Sequence, residues 1–444
     1  MDYLDVANKA IAIAQKLGCN EAEAYILDAK ALTIEVADQE LETMKFAEDS
    51  GIGLRVFSKE GKVGFSYSTD LNTIEDLARQ ALNNSCKSFA DDNNGLPKLP
   101  QMIANFNLLD QKIAGATIEE KIHLAKQVES SARQTDNRVT RTERCVYKDA
   151  EYGVALANSN GLSTYYRAGY CGLYGIVLAE KDGDVQTGSG LLFSRNFVDL
   201  DADFVGREAA QDATLLLGAK SIGTTKATLI LNSQVATSFF SVLIPALCAD
   251  SVQKGRSLFT GKLGQKVVSP LISLVDDGRL ADGIATSPID GEGCPTQRTH
   301  LIVNGILNSY LHNAYTAARD KVDSTGNGIR GSFKSMPEVG PTNIFIQAGA
   351  MKRERLIQEV KDGFYVTSVM GMHTANPISG DFSIGASGVW IKNGEFTQAV
   401  RGVAIAGNIL ELFGQVDAVA DDLRFYGSQG APTIRISNIT VSGS

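Results

Sequence analysis

Between Lys226 and Asp250 the chain carries no charged residue, and this stretch, 227–249, constrains the fold more than any other. Its length would suit a bilayer, but Asn232, Ser233, Gln234, Thr237, Ser238 and Ser241 lie within it. That much polarity in hydrocarbon costs more than a spanning helix recovers. The stretch therefore reads as a buried strand over 227–231 and a buried helix over 233–249. A helix that is apolar around most of its circumference needs protein on every side. Pro245 has no N–H to donate, so it is expected to kink that helix or break its C-terminal half.

The remaining composition can supply such a core. Hydrophobic residues make up 43% of the 444 positions and charged residues 21%, which is ordinary globular usage and excludes a disordered chain. The net charge is -9 and no dense Lys/Arg run occurs, so a binder of nucleic-acid backbones is not expected. Cysteines stand at 19, 86, 145, 171, 248 and 294, with no CxxC or close pair. That pattern fits reduced thiols in a cytoplasmic protein. The opening residues MDYLDVANKAIAIAQKLG read as an amphipathic helix over 3–17 rather than a signal peptide, because no basic n-region precedes an apolar run.

Helices and strands come in separate runs, which predicts an α+β fold: an N-terminal α/β region, then a β-rich C-terminal region around the buried helix. Strands are expected at 22–27, 31–37, 40–46, 52–57 and 62–67. A helix from Thr73 to Asn83 follows, with Asp76 at the capping-box position. Residues 86–116 read as a linker. Thr117 and Glu120 open a helix to about Arg133, strands run from Arg138 to Phe193 with turns at Asn160-Gly161 and 182–184, and a helix covers 202–217. Three segments result: 1–110 as an N-terminal domain, 111–222 as a central helix with antiparallel strands, and 223–444 as the C-terminal β-rich domain.

Few motifs carry chemistry. Gly326–Gly331 matches GxGxxG, but a helical pattern precedes it and prolines follow, the reverse of the strand-loop-helix that a dinucleotide needs. Ser251 and Lys254 have SxxK spacing without a companion Lys-Thr-Gly. Asp199, Asp201 and Asp203 begin like a calcium loop but lack its later Gly and Glu, so helix capping is the better reading. The histidines are His123, His300, His312 and His373, and no HExxH or HExxxH occurs. A local helical zinc site therefore cannot be assembled.

Several segments do carry a family pattern. They are Asp49–Val56, Ala155–Gly161, Gly255–Phe259, Asp277-Gly278, Ala285–Gly293, Asn304–Leu307, Ser324–Gly328, Ser379–Ser383 and Ile434–Gly443. In order and spacing, across nearly the whole chain, they resemble the TldD/PmbA family. The resemblance implies subunits of two kinds. TldD-like subunits bear HExxxH and a near-terminal Cys as zinc ligands and cleave unstructured peptides in a chamber formed with a second subunit. PmbA/TldE-like subunits lack those ligands. Counted back from Gly255, the motif falls on 240–245, where Phe240, Ser241 and Pro245 stand in place of His, Glu and His. The near-terminal Cys is absent as well, since Tyr426–Gly430 runs into Ala431-Pro432.

The resemblance thus implies a PmbA/TldE-like subunit of a heteromeric zinc metalloprotease, inactive alone. No catalytic or metal-binding residue and no cofactor are expected in this chain, zinc being expected only in the partner. Expected partners are a TldD-like HExxxH subunit, a second copy when that subunit is missing, and extended peptides, with no nucleic acid and no membrane. Loops 286–294, 324–333 and 370–381 are the expected peptide contacts, with Asp290, Glu292, Asn327, Arg330, His373 and Asp381 as site residues. Two alternatives stand beside this reading. One is a stand-alone hydrolase drawing on His312, His373, Asp290 and Glu292. The other is a regulatory homodimer without protease activity, as the family's modulator-of-gyrase names suggest.

Overall fold

The computed structural model describes residues 2–443. Its N-terminal part is helix α1 (Tyr3–Lys16), strands β1 (Glu21–Ala37), β2 (Glu40–Phe57) and β3 (Val63–Ser68), and helix α2 (Ile74–Cys86). Helices α3 (Gln111–Gly115) and α4 (Ile118–Thr135), strands β4 (Val139–Asn158), β5 (Ser163–Lys181) and β6 (Asp184–Ser194), and helix α5 (Ala202–Leu215) follow. The short strands expected at 22–27 and 31–37 are one strand, as are those at 40–46 and 52–57. Asp38 and Gln39 join them in a tight turn with φ of 49° and 62°, the left-handed backbone that two-residue hairpins require.

All six strands form a single sheet in the order β3-β2-β1-β4-β5-β6. Every pairing in it is antiparallel. Residues 1–110 and 111–222 therefore meet across the β1–β4 ladder. Side chains of a strand alternate between faces, and the sheet is used on both. Ala22, Ala24, Ile26, Ile52, Leu54 and Val56 pack beneath α1 and α2. Farther along, Leu32, Ile34 and Val36 pack beneath α4. The opposite face presents Tyr25, Val154 and Leu156 to Ile289 and Phe333 of the C-terminal part. Gly51 and Gly53 permit this approach, because a Cβ at either would lie 2.3 Å from Phe333.

Local signals mostly hold. Thr117 and Glu120 form a complete capping box, and Asp201 caps α5 by accepting from the Phe204 amide at 2.7 Å. Thr73 does not cap α2 with its side chain. Its backbone, at φ -93° and ψ 33°, is not in the extended conformation of an N-cap, and its hydroxyl donates to the Asp70 carbonyl at 2.9 Å; the box expected with Asp76 does not form. The 86–116 linker is tied down. Leu96 donates its amide to Glu21 at 3.0 Å, Asp91 accepts from the Tyr315 hydroxyl at 2.8 Å, and α3 ends the segment.

The C-terminal part begins with β7 (Thr225–Leu231). This strand lies in a six-stranded sheet, parallel to Asp362–Met370 and antiparallel to Ile434–Ser442. A second six-stranded sheet contains Leu274–Asp277, Arg298–Val303 and Ile344–Ile346. Between them lies the largest apolar cluster, which includes Leu229, Phe239, Phe240, Leu274, Phe364 and Trp390. The uncharged stretch supplies its centre as expected, but as a broken helix. Helix α6 (Ser233–Ser241) stops short, and Pro245 opens the separate turn α7 (Ile244–Leu247). The missing proline N–H and the ring's clash with the preceding turn account for the break. No helix among the described residues is long and apolar enough to cross a membrane.

Candidate functional site

Helix α6 fills the place where metal ligands would stand. Phe240 is buried in the apolar cluster, the Ser241 hydroxyl donates to the Ser238 carbonyl at 2.7 Å, and Pro245 carries no donor atom. An aromatic ring, a hydroxyl already bonded to its own helix and a proline do not fit Zn²⁺, which takes imidazole, thiolate or carboxylate ligands. Among the described residues no cluster of three or more His, Cys, Asp or Glu could hold a metal. His312 is buried with Nδ1 unbonded, and burial lowers its pKa.

Loops 286–294 and 324–333 do converge, since Gly291 donates its amide to the Gly328 carbonyl at 2.6 Å. The charges they bring are buried against the N-terminal sheet. The Arg55 guanidinium of β2 donates to Glu292 Oε1 at 2.9 Å and to Glu23 Oε2 of β1 at 3.0 Å. Glu23 also pairs with Arg330, whose guanidinium lies 4.9 Å from the centre of the Tyr25 ring. Two acids and two bases thus neutralise one another away from water, the condition under which buried charge is tolerated. Burial opposes protonation of Arg55, yet Glu23 and Glu292 raise its pKa on balance. Burial lowers that of Arg330.

Asp290 supports this cluster from within its loop. It accepts from the Glu292 and Cys294 amides at 2.9 Å and from the Gly328 amide at 2.8 Å. Burial, reinforced by the neighbouring Glu292, pushes its pKa well above the usual carboxylate range. Asn327 donates to Asp276 at 2.8 Å, and burial raises the Asp276 pKa to about 6. Of the six expected peptide-contact residues, Glu292 and Arg330 therefore sit in the joint with the N-terminal sheet, Asp290 holds their loops together, and Asn327 is bonded within the C-terminal part. The other two lie elsewhere. His373 is exposed on a 3₁₀ turn over 372–374, and Asp381 is exposed and accepts from Asn408 at 3.0 Å.

Sequence reasoning missed Glu23 and Arg55, although a charge at an inward position of the 52–57 strand was a usable signal. It also missed Arg195. This buried guanidinium donates to the carbonyls of Gly283, Ile284, Thr286, Leu108 and Gly169, fastening the 86–116 linker, the sheet and the C-terminal loop together. A further unforeseen feature is a cavity of about 900 Å³ between α5 and the start of α6. Arg424 crosses its wall, paired with Glu208 and held 5.0 Å from the Phe204 ring and 4.9 Å from the Tyr426 ring. Burial raises Asp212 beside it to a pKa of about 6. The Tyr426 hydroxyl lies 2.8 Å from that of Ser233.

Fold and joint together define an α+β protein in which a helix-backed antiparallel sheet is locked by paired charges onto a β-rich body. Known proteins share that fold. Residues 22–85, 111–217 and 224–443 match, in turn, domain 1, the central domain and the C-terminal domain of the PmbA/TldA metallopeptidases. The chain belongs to the PmbA/TldD metallopeptidase family. It is 27% identical to the metalloprotease PmbA of Escherichia coli O157:H7, over 99% of this chain and 96% of that protein. It is 29% identical to a metalloprotease TldD homologue of Haemophilus influenzae, over 90% and 88%. A crystal structure from Thermotoga maritima, named for a modulator of a DNA gyrase, superposes with a TM-score of 0.92 at 28% identity, covering 99% of this chain and all of that one. TldE from Thermococcus kodakarensis has the same fold, with a TM-score of 0.91 at 21% identity over 99% of this chain and 100% of that one.

Proposed function

We propose that this chain is the non-catalytic, PmbA/TldE-like subunit of a heteromeric zinc metalloprotease that acts on unstructured peptides in the cytoplasm. Its partner is a TldD-like chain bearing HExxxH, which holds the zinc, while this chain holds none. The observation that carries the reading is α6. Phe240 and Ser241 at its end, and Pro245 in the separate turn α7, stand at the three motif positions, so neither ligands nor a general base are available there. Similarity to proteins named both PmbA and TldD supports the family context of such a pair.

The test is hydrolysis of a casein-derived unstructured peptide by the purified chain, by an HExxxH-bearing relative from the same genome, and by the two mixed. Cleavage is expected only where the relative is present, increased by this chain and abolished by a chelator. Cleavage by this chain alone would overturn the proposal.

A further inference from the structure

The hairpin of β1 and β2 is treated differently along its length. From Ile52 onward β2 is paired on both sides, with β1 and with β3. Over residues 40–50 only β1 pairs with it, and the other edge of the strand is open among the described residues. An open edge is a row of unpaired amides and carbonyls, and proteins usually blunt one with prolines, lysines, bulges or a short strand. Here the edge is long, has no proline and carries Lys45 as its lone lysine. Its one bulge lies at the far end, opposite Glu35 and Val36.

The same margin is apolar on one face. Leu41, Met44 and Phe46 stand opposite Val36, Ile34 and Leu32. Those β1 residues are buried beneath α4, whereas the β2 residues are 43%, 53% and 63% exposed. The helix layer thus covers β1 and stops before β2. Met44, Phe46, Ile113 and Ile118 line a groove of about 610 Å³ in the gap. At its inner end β3 takes up the edge and Phe333 closes over Gly51. At its side stand α3 and α4.

Charge narrows the occupant. Lys30 pairs with Glu48 at 3.2 Å and Lys334 with Asp49 at 2.8 Å. Glu40, Glu42 and Lys45 have no ion-pair partner among the described residues, so the free charge of the margin is acidic on balance. A second copy of this strand would repeat that acidic excess, while a segment bearing basic residues would complement it. We propose that residues 40–50 of β2 bind an extended peptide by strand addition. The groove takes alternate apolar side chains against Met44 and Phe46, and Glu40 and Glu42 favour basic residues between them. Main-chain bonding along an edge gives affinity with little sequence demand, and alternate side chains add selectivity. The choice of an unstructured peptide as occupant rests on the function proposed above.

The probe is a fluorescein-labelled decapeptide alternating Leu with Lys and Thr, titrated by anisotropy with the full chain. Saturable binding is expected, about tenfold weaker in the Met44→Ala, Phe46→Ala double variant and in a peptide with Glu replacing Lys. Amides of residues 40–50 should gain protection from hydrogen exchange when the peptide is added. Phe46 is mostly exposed, so the variants should keep their fold, with unchanged circular dichroism. Absence of binding, or binding indifferent to the double variant, overturns the inference. So does a homodimer that the double variant dissociates, because a second copy would then cover the edge. The two proposals fail separately. If the mixed subunits cleave equally well with the double variant, this inference falls and the subunit reading stands. If the mixture never cleaves while the isolated chain binds through β2, the reverse holds.

Discussion

The two halves of the β1–β2 hairpin belong to the same strands and obey different rules. In the inner half every edge is paired, one face lies under α1 and α2, and the other carries Arg55 and Glu23 into a closed network with Glu292 and Arg330. In the outer half β2 leaves an edge open and an apolar stripe exposed. The contrast separates what holds the molecule together from what it offers to others. Charge at the joint is paired within the chain itself. The outer margin is the part proposed above to bind a peptide.

Removing one member of the joint should give the largest effect. Arg55→Ala leaves Glu23 and Glu292 buried without their shared partner, and is expected to cost about 3–5 kcal/mol in urea unfolding. An equal loss from Lys30→Ala, whose exposed pair with Glu48 lies on the outer half, would erase the distinction between the halves.

Proton linkage sharpens it further. The Asp290 carboxyl is raised from 3.8 to about 7 by burial and then by Glu292. Between those values the folded chain holds a proton that the unfolded chain has released, so this group's contribution to stability falls as pH rises across the window. The slope is up to about 1.4 kcal/mol per pH unit. Comparing urea midpoints at several pH values within the window, Asp290→Asn should flatten that slope, and an unchanged slope would remove Asp290 from the account. The smallest effect is expected on the outer half. Phe46→Ala should shift stability by no more than about 0.5 kcal/mol, and a large loss in a thermal melt would mean that the stripe is core after all.

Features governed by near neighbours were legible in the chain. The Thr117–Glu120 box, the Asn160-Gly161 hairpin and the break at Pro245 each follow from a few adjacent residues. Thr73 failed because the turn from Asp70 leaves its backbone at φ -93° and ψ 33°, outside the extended conformation that aims an N-cap side chain at the first turn. The long strands were obscured because Asp28 and Lys30 interrupt the apolar alternation of β1, and its pairing on both sides carries the strand through them. The joint was hidden by distance along the chain: nothing near Glu23 announces Arg330, and nothing near Arg195 announces the carbonyls of 283–286. At α6 the missing ligands could be read directly from the letters, while the burial of Asp290 and Glu292 depended on a surface contributed from the other end of the chain.

The position of β1 at the middle of its sheet has a consequence for how the protein is made. Its first neighbour, β2, follows at once, but its second, β4, lies beyond β3, the 86–116 linker and the helices α2, α3 and α4. During synthesis at about 5–20 residues per second, the β1 edge must wait several seconds as an unmatched template on the ribosome. Over that interval the growing chain is exposed to mispairing with its neighbours on the same messenger. An early hairpin shielded by α1 and α2 leaves only one flank open until β4 emerges.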